Sequence, residues 1–146
     1  MIKIFLIICI IPWQLWAWDK ESTVKIYHHL FHAISKKEVI KIYTRDKEYR
    51  DAFDTSKRMQ VVHSPDKADV ILICSDKGIE KLMNTSKSND VNFFTTSYKL
   101  LKQYPKIIGA FYWKKGRSQL LFVKGRLEKR NIRLPQEYQK FVVESL

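Results

Sequence analysis

Apolar residues first recur at helical spacing at Val24, Tyr27, Leu30, Phe31 and Ile34, which predicts a helix capped by Ser22 or Thr23 with one face set to pack on a sheet. Val39 to Tyr43, VIKIY, is β-branched and aromatic, and predicts a first strand that exits through Thr44, Arg45 and Asp46. Lys47 to Phe53 can then form a short helix burying Tyr49, Ala52 and Phe53, and Met59 to Val62 a second short strand. Ser64-Pro65-Asp66 is a turn. The segment Ala68 to Cys74 is the most hydrophobic beyond the N-terminal leader. Its apolar run from Val70 to Cys74 predicts a strand buried on both faces, hence central in a mostly parallel sheet.

Ser75-Asp76-Lys77-Gly78 leads into a short helix, Ile79 to Met83, and Asn84 to Asp90 is a polar stretch with the composition of a loop. Val91 to Phe94 is a further strand, after which Thr95, Thr96 and Ser97 can cap a helix running through Gln103. The runs IIGAFYW and SQLLFVK, joined by KKGR, predict a β-hairpin. Lys124 to Arg130 is a helical turn. A last helix is expected over Gln136 to Glu144, with Pro135 at its start and Tyr138, Phe141 and Val142 on its apolar face. Strands alternating with helices before a terminal hairpin define an α/β sandwich: one domain, with a central mixed sheet flanked by helices and a C-terminal β-hairpin.

The N-terminal residues change where this domain is expected to work. MIKIFLIICIIPWQLWA has one charge at Lys3, an apolar stretch from Ile4 to Ile11, a breaker at Pro12 and a small residue at Ala17, the order of a secretion signal. Spanning a bilayer takes about 20 apolar residues, more than Ile4 to Ala17 supplies. Residues 1–17 are therefore expected to be a signal peptide cleaved after Ala17, with retention as an anchor the other outcome. The remaining 129 residues, from Trp18, suit a single hydrophobic core.

The chain carries a formal net charge of +12, of which the leader holds only Lys3. In the cytoplasm such a balance points to nucleic acid; export turns it toward a solvated basic surface, anionic lipid headgroups, cell-wall polymers or an acidic protein. No nucleic-acid partner is expected. Cys9 departs with the leader and leaves Cys74, so no internal disulfide is available, and Cys74 is expected as a buried strand residue.

Candidate chemistry is sparse. His28 and His32 stand four residues apart on one helical face, a spacing able to hold a transition metal, but no Glu or Cys completes a familiar ligand set, so no metal is expected. No serine sits in a Gly-flanked elbow and four glycines offer no phosphate-cradling loop, so neither catalysis nor a cofactor is expected. Binding remains. An open α/β sheet presents ligands a crevice beyond the carboxyl ends of its strands, and the candidates there are Arg45, Asp46, Ser75, Asp76, Thr95, Thr96 and Ser97. Ordinary capping and turn chemistry accounts for the same residues. A partner-binding patch is the second candidate: Tyr112, Trp113, Lys114, Lys115 and Arg117 join aromatic and basic anchors, while core packing explains the rings equally.

The order of an exported leader, an early helix, KIYTRDKEY, ADVILICS and then IIGAFYWKKGRSQLLFVKGRLEKRNIRLPQEYQKFV resembles the YfiR-like periplasmic family over residues 18–146. The C-terminal block carries most of the likeness: Gly109, the Lys114 to Arg117 turn, Gln119 to Val123, Arg126 to Asn131 and Leu134 to Val142 stand in the family's order. The resemblance implies a periplasmic, non-enzymatic regulator that contacts the outer-facing domain of an inner-membrane sensor or diguanylate cyclase. Founding members use cysteine pairs for redox control, and with Cys74 alone that property does not carry over. Beside this stand a structural accessory of the envelope and a small solute-binding domain for an anionic ligand; a homodimer is compatible with each.

Overall fold

Helix α1 (Lys20–Ser35) buries Val24, Tyr27, Leu30, Phe31, Ala33 and Ile34 along one stripe, as the 3.6-residue period requires. It belongs to a computed structural model that describes residues 20–85 and 91–146; the leader, Trp18 and most of the expected Asn84–Asp90 loop lie outside them. Because α1 already runs at Lys20, Ser22 and Thr23 sit inside the helix and are not its cap. The chain continues as β1 (Ile40–Thr44), α2 (Lys47–Phe53), β2 (Met59–Val61), a 3₁₀ turn at Pro65–Lys67, β3 (Val70–Ile73), α3 (Ile79–Thr85), β4 (Asn92–Thr95), α4 (Tyr98–Gln103), β5 (Ile107–Lys114), β6 (Arg117–Val123), α5 (Lys124–Lys129), a 3₁₀ segment at Gln136–Phe141 and β7 (Val142–Val143).

The strands form one seven-stranded sheet in the order β2-β1-β3-β4-β5-β6-β7. The first five are parallel, β6 runs antiparallel to β5, and β7 is parallel to β6. The structure is thus the α/β sandwich with a mixed central sheet that the pattern predicts. β3, all four of its residues buried, sits inside the parallel block because only that position covers VILI on both faces. One face packs on α1 and α2, with Ile40, Ile42, Val70, Leu72, Phe94 and Phe122 among its buried residues. The other packs on α3 and α4 through Ile71, Ile73, Phe93, Ile107 and Ala110. Crossovers on opposite faces make the β1/β3 junction a topological switch point, where an open parallel sheet leaves a crevice at its carboxyl edge.

Gly109 lets β5 meet β6 closely. An added Cβ would lie 2.6 Å from the Leu121 carbonyl oxygen and 2.8 Å from Phe122 Cδ1, so the Phe122 ring occupies the side-chain space of its cross-strand partner. The β4–β5 register shifts beside it, between Phe93/Ile107 and Phe94/Gly109.

The expected C-terminal helix is corrected. Gln136–Phe141 is a 3₁₀ segment, and Val142–Val143 leave it to pair with Phe122 and Val123. The free edge of β6 offers backbone partners that a last, weakly apolar helix does not, and two β-branched residues suit a strand. Smaller corrections follow the same local logic. Val39 is half exposed and precedes β1, Val91 is buried but precedes β4, Val62 follows β2, and Cys74 lies half-buried just past the end of β3.

Candidate functional site

Because β1, β3 and β4 are adjacent and parallel, their carboxyl ends bring the strand-end candidates to one edge of the sheet. Most are committed to local bonds. Asp46 caps α2, its Oδ1 accepting from the Tyr49 backbone N–H at 3.1 Å. Ser97 caps α4, accepting from Leu100 N–H at 3.3 Å. Thr95 is fully buried; its hydroxyl donates to the Ile73 carbonyl at 2.7 Å and accepts from Ser97 N–H at 3.1 Å. Thr96 N–H donates to the same Ile73 carbonyl at 3.1 Å. Ser75 and Asp76 are exposed in the turn before α3, where the Asp76 carbonyl accepts from Ile79 N–H.

Arg45 reaches across the switch point. Its Nη1 donates to the Lys77 carbonyl at 3.2 Å and lies where a Cβ on Gly78 would stand, 2.6 Å away; Gly78 is left-handed, with φ +63°. The cavity between Arg45, Cys74, Ser75 and Lys77 has a volume of about 20 Å³, room for roughly one water. Beneath it the Cys74 thiol is pushed up to about 11, chiefly by burial, with the charge of Asp46 adding and hydrogen bonds from Thr96 and Thr44 opposing. A thiol so placed is a poor nucleophile at neutral pH. Farther in, the buried Tyr27 hydroxyl lacks a hydrogen-bond partner among the described residues, although Tyr49 approaches it, and its ring is held edge-on by Tyr49, Phe53 and Phe111.

The patch on the hairpin divides into a pinned base and a free tip. β4 stops pairing at Ala110 and β7 pairs with Phe122 and Val123, so among the described residues Phe111–Lys114 and Arg117–Leu120 pair only with each other. The base is gripped on both faces. Phe111 packs on Tyr27 with ring centroids 5.7 Å apart, and Tyr112 packs on Tyr98 at 5.5 Å, as strand alternation requires. Beyond it, Trp113 is 70% exposed and Lys114, Lys115 and Arg117 are exposed with it. Core packing therefore accounts for Phe111 and partly for Tyr112, and not for Trp113. Lys115 and Gly116 have φ +52° and +77°, the paired left-handed conformation of a type I′ turn.

Charge is segregated toward this arm. From Val91 to Leu127 the chain contains eight Lys and Arg residues and no Asp or Glu. One of the eight, Arg126, is structural. Its Nη1 donates to the carbonyls of Leu101, Tyr104 and Ile107 at 2.6, 3.2 and 2.9 Å, closing the end of α4 and the start of β5. Four residues on, Arg130 donates to the Asn92 side chain and the Val91 carbonyl at the start of β4. Neither clamp follows from the pattern of the sequence, since an Arg at i and i+4 of a short helix looks like a solvated face.

His28 and His32 stack at 6.1 Å but turn toward the chain that follows α1: His32 Nδ1 donates to the Lys37 carbonyl at 2.8 Å, and His28 Nε2 lies 3.4 Å from the Glu38 carbonyl. Among the described residues no group of three His, Cys, Asp or Glu side chains is placed to hold a metal. The sequence also did not point to a groove of about 580 Å³ beside β7, bordered by Lys124, Leu127, Arg133, Leu134 and Gln139.

No protein-family model and no curated protein matches the sequence. Among solved structures, the chain is similar to the crystal structure of a conserved domain protein from Vibrio cholerae O1 biovar El Tor, with a TM-score of 0.58 and 11% identity over 84% of this chain. The chain spans 60% of the length of that protein. The likeness is one of fold.

Proposed function

We propose that this protein is a non-enzymatic regulatory or binding protein of the periplasm that contacts the outer-facing domain of an inner-membrane signalling protein, of the diguanylate cyclase or sensor kinase type. One observation carries the reading. At the carboxyl edge of the sheet, where an α/β domain would hold a ligand, Asp46, Thr95 and Ser97 are spent on caps and strand ends, and the crevice at the switch point has room for about one water. Beside it stands a preorganised aromatic pair, Tyr98 and Tyr112, on an edge that also carries Arg45 and Asp76. Such an edge offers a partner protein packed rings together with charged side chains, the composition of an interface more than of a small-molecule site. The order of elements from Gly109 to Val142, which resembles that of the YfiR-like family, supports the same reading.

The test is site-specific photocrosslinking in the intact envelope, with the crosslinker at Tyr98 or, as control, at exposed Lys57 beside β2. The proposal expects one inner-membrane protein with an outer-facing domain to be captured from Tyr98 and not from Lys57, and its purified outer domain to bind the protein in solution. Equal capture from both positions, or no binding by the purified domain, would sink it. A small anionic solute is the second reading, favoured by the groove beside β7 with Lys124 and Arg133 at its rim. A ligand there would raise the melting temperature as its concentration passes its dissociation constant.

A further inference from the structure

We propose that the tip of the β5–β6 hairpin is a lipid-contact site that seats the protein on an anionic bilayer surface. Trp113 enters the interfacial layer, and Lys114, Lys115 and Arg117 meet the headgroup phosphates. The inference goes beyond the partner reading, which concerns the face at Tyr98 and Tyr112, and it stands without it.

Past Ala110 the arm is a two-stranded ribbon four residue pairs long, so it projects roughly 13 Å beyond the end of β4 at about 3.4 Å per residue. Its end carries one large apolar side chain, Trp113. A stable protein–protein contact needs about 800 Å² and roughly 20–30 residues on each partner, more than the exposed run from Trp113 to Ser118 supplies. A planar, deformable surface needs only that the tip reach it. Trp is the side chain that settles best at a membrane–water interface, where its indole is half apolar and half polar.

Charge favours the same surface. Lys114 and Arg117 are cross-strand partners next to exposed Trp113 and Lys115 stands in the turn between them, and among the described residues none of the three forms an ion pair. They stand in the stretch from Val91 to Leu127 that holds no carboxylate, so no acidic group of the arm or of α4 offsets their field. Near an anionic leaflet each such cation is drawn to the surface, and the pull falls off within a Debye length. At the end of the arm, past the last residue paired to β4, they stand where a surface met by the tip exerts that pull most strongly.

The turn is built to carry charge as well. Lys115 holds φ +52°, a left-handed conformation that Gly, Asn or Asp adopts at less cost. Turn geometry alone would choose one of those residues. A lysine there adds charge at the apex.

The experiment is vesicle flotation of the protein recovered from the envelope of expressing cells. It compares phosphatidylcholine vesicles with vesicles in which a third of the lipid is phosphatidylglycerol, and the readout is the bound fraction on anionic relative to neutral vesicles. The wild type should bind anionic vesicles at least tenfold better, with the preference falling as salt rises. K114E/K115E should remove that preference, and W113A should lower binding to anionic vesicles several-fold with the salt dependence retained. K57E/R58E, an equal charge reversal beside β2, should change either value less than twofold. All substituted positions are exposed, and unchanged melting temperatures verify folding. The proposal is overturned if anionic lipid gives no preference, if K57E/R58E costs as much as K114E/K115E, or if W113A binds as well as wild type. It is also overturned if the tip variants keep vesicle binding and lose only an acidic protein partner. Loss of crosslinking from Tyr98 with vesicle binding intact would instead count against the partner reading alone.

Discussion

Replacing Gly109 with Ala should be among the most damaging single-methyl additions to this fold. The new Cβ would stand 2.6 Å from the Leu121 carbonyl oxygen and 2.8 Å from the Phe122 ring. An ordinary carbon–oxygen contact is about 3.3 Å, so β6 would have to retreat by roughly 0.7 Å. The obstacle is backbone, and β6 cannot retreat freely: it is paired to β5 from Gly109 to Lys114 and carries β7 on its other side. Phe122, fully buried against Phe94 with centroids 5.9 Å apart, cannot swing out without opening the core. Overpacking costs about 1–3 kcal/mol, and the lack of a flexible neighbour puts this case near 3. For a domain of this size about 1 kcal/mol moves the melting temperature by roughly 4 °C, so a fall of about 10 °C is expected. Differential scanning calorimetry of Gly109→Ala beside Gly125→Ala makes the measurement self-controlled. Gly125 lies in α5 with nothing within 4 Å of an added Cβ, and its replacement should be neutral or stabilising by up to about 1 kcal/mol. A Gly109→Ala melting temperature within about 2 °C of wild type would refute the steric argument.

Arg126→Ala removes one donor group from three carbonyls at the end of α4 and the start of β5, and should cost about 2 kcal/mol, with hydrogen exchange rising first at Leu101 to Ile107; unchanged protection there would show that the carbonyls find other donors. Lys115→Asn relieves a left-handed lysine and should stabilise the fold by about 0.5–1 kcal/mol in chemical denaturation, while weakening anionic-vesicle binding. For Cys74 the folded-state value, about 11, lies above the ordinary thiol range, so the native state holds its proton where the unfolded chain has lost it. The resulting stability is complete below the ordinary value and is lost as pH rises toward 11. The wild type should therefore lose stability between pH 9 and 11 more steeply than Cys74→Ala, by about 2 kcal/mol in all. Alkylation of the native thiol at pH 8 should also be on the order of a hundredfold slower than in denaturant; rapid native labelling would contradict its burial.

Much of the architecture was legible in the chain because it rests on short-range patterns. ADVILICS has no polar face to turn outward, so it had to be an inner strand. VNFFTTSYKLL has a strand and a cap in sequence, and Ser97 does cap α4. Two apolar runs around Lys115-Gly116 had to fold back on each other. Where those patterns are weak the structure differs: Gln136 to Glu144 has helical propensity but too small an apolar face, and the open edge of β6 captures Val142 and Val143 instead. Strand order belongs to tertiary structure, since it depends on which crossover covers which face. That order brought Arg45, Ser75 and Thr96 to one edge. Packing also decided how those residues are used, because a side chain near a strand end becomes a cap or a binding group according to what reaches it. The hairpin shows the division most clearly. Alternation along Phe111, Tyr112 and Trp113 follows from a two-residue period, but only the places where β4 and β7 stop pairing determine that the first two rings are held by the core and Trp113 stands in solvent.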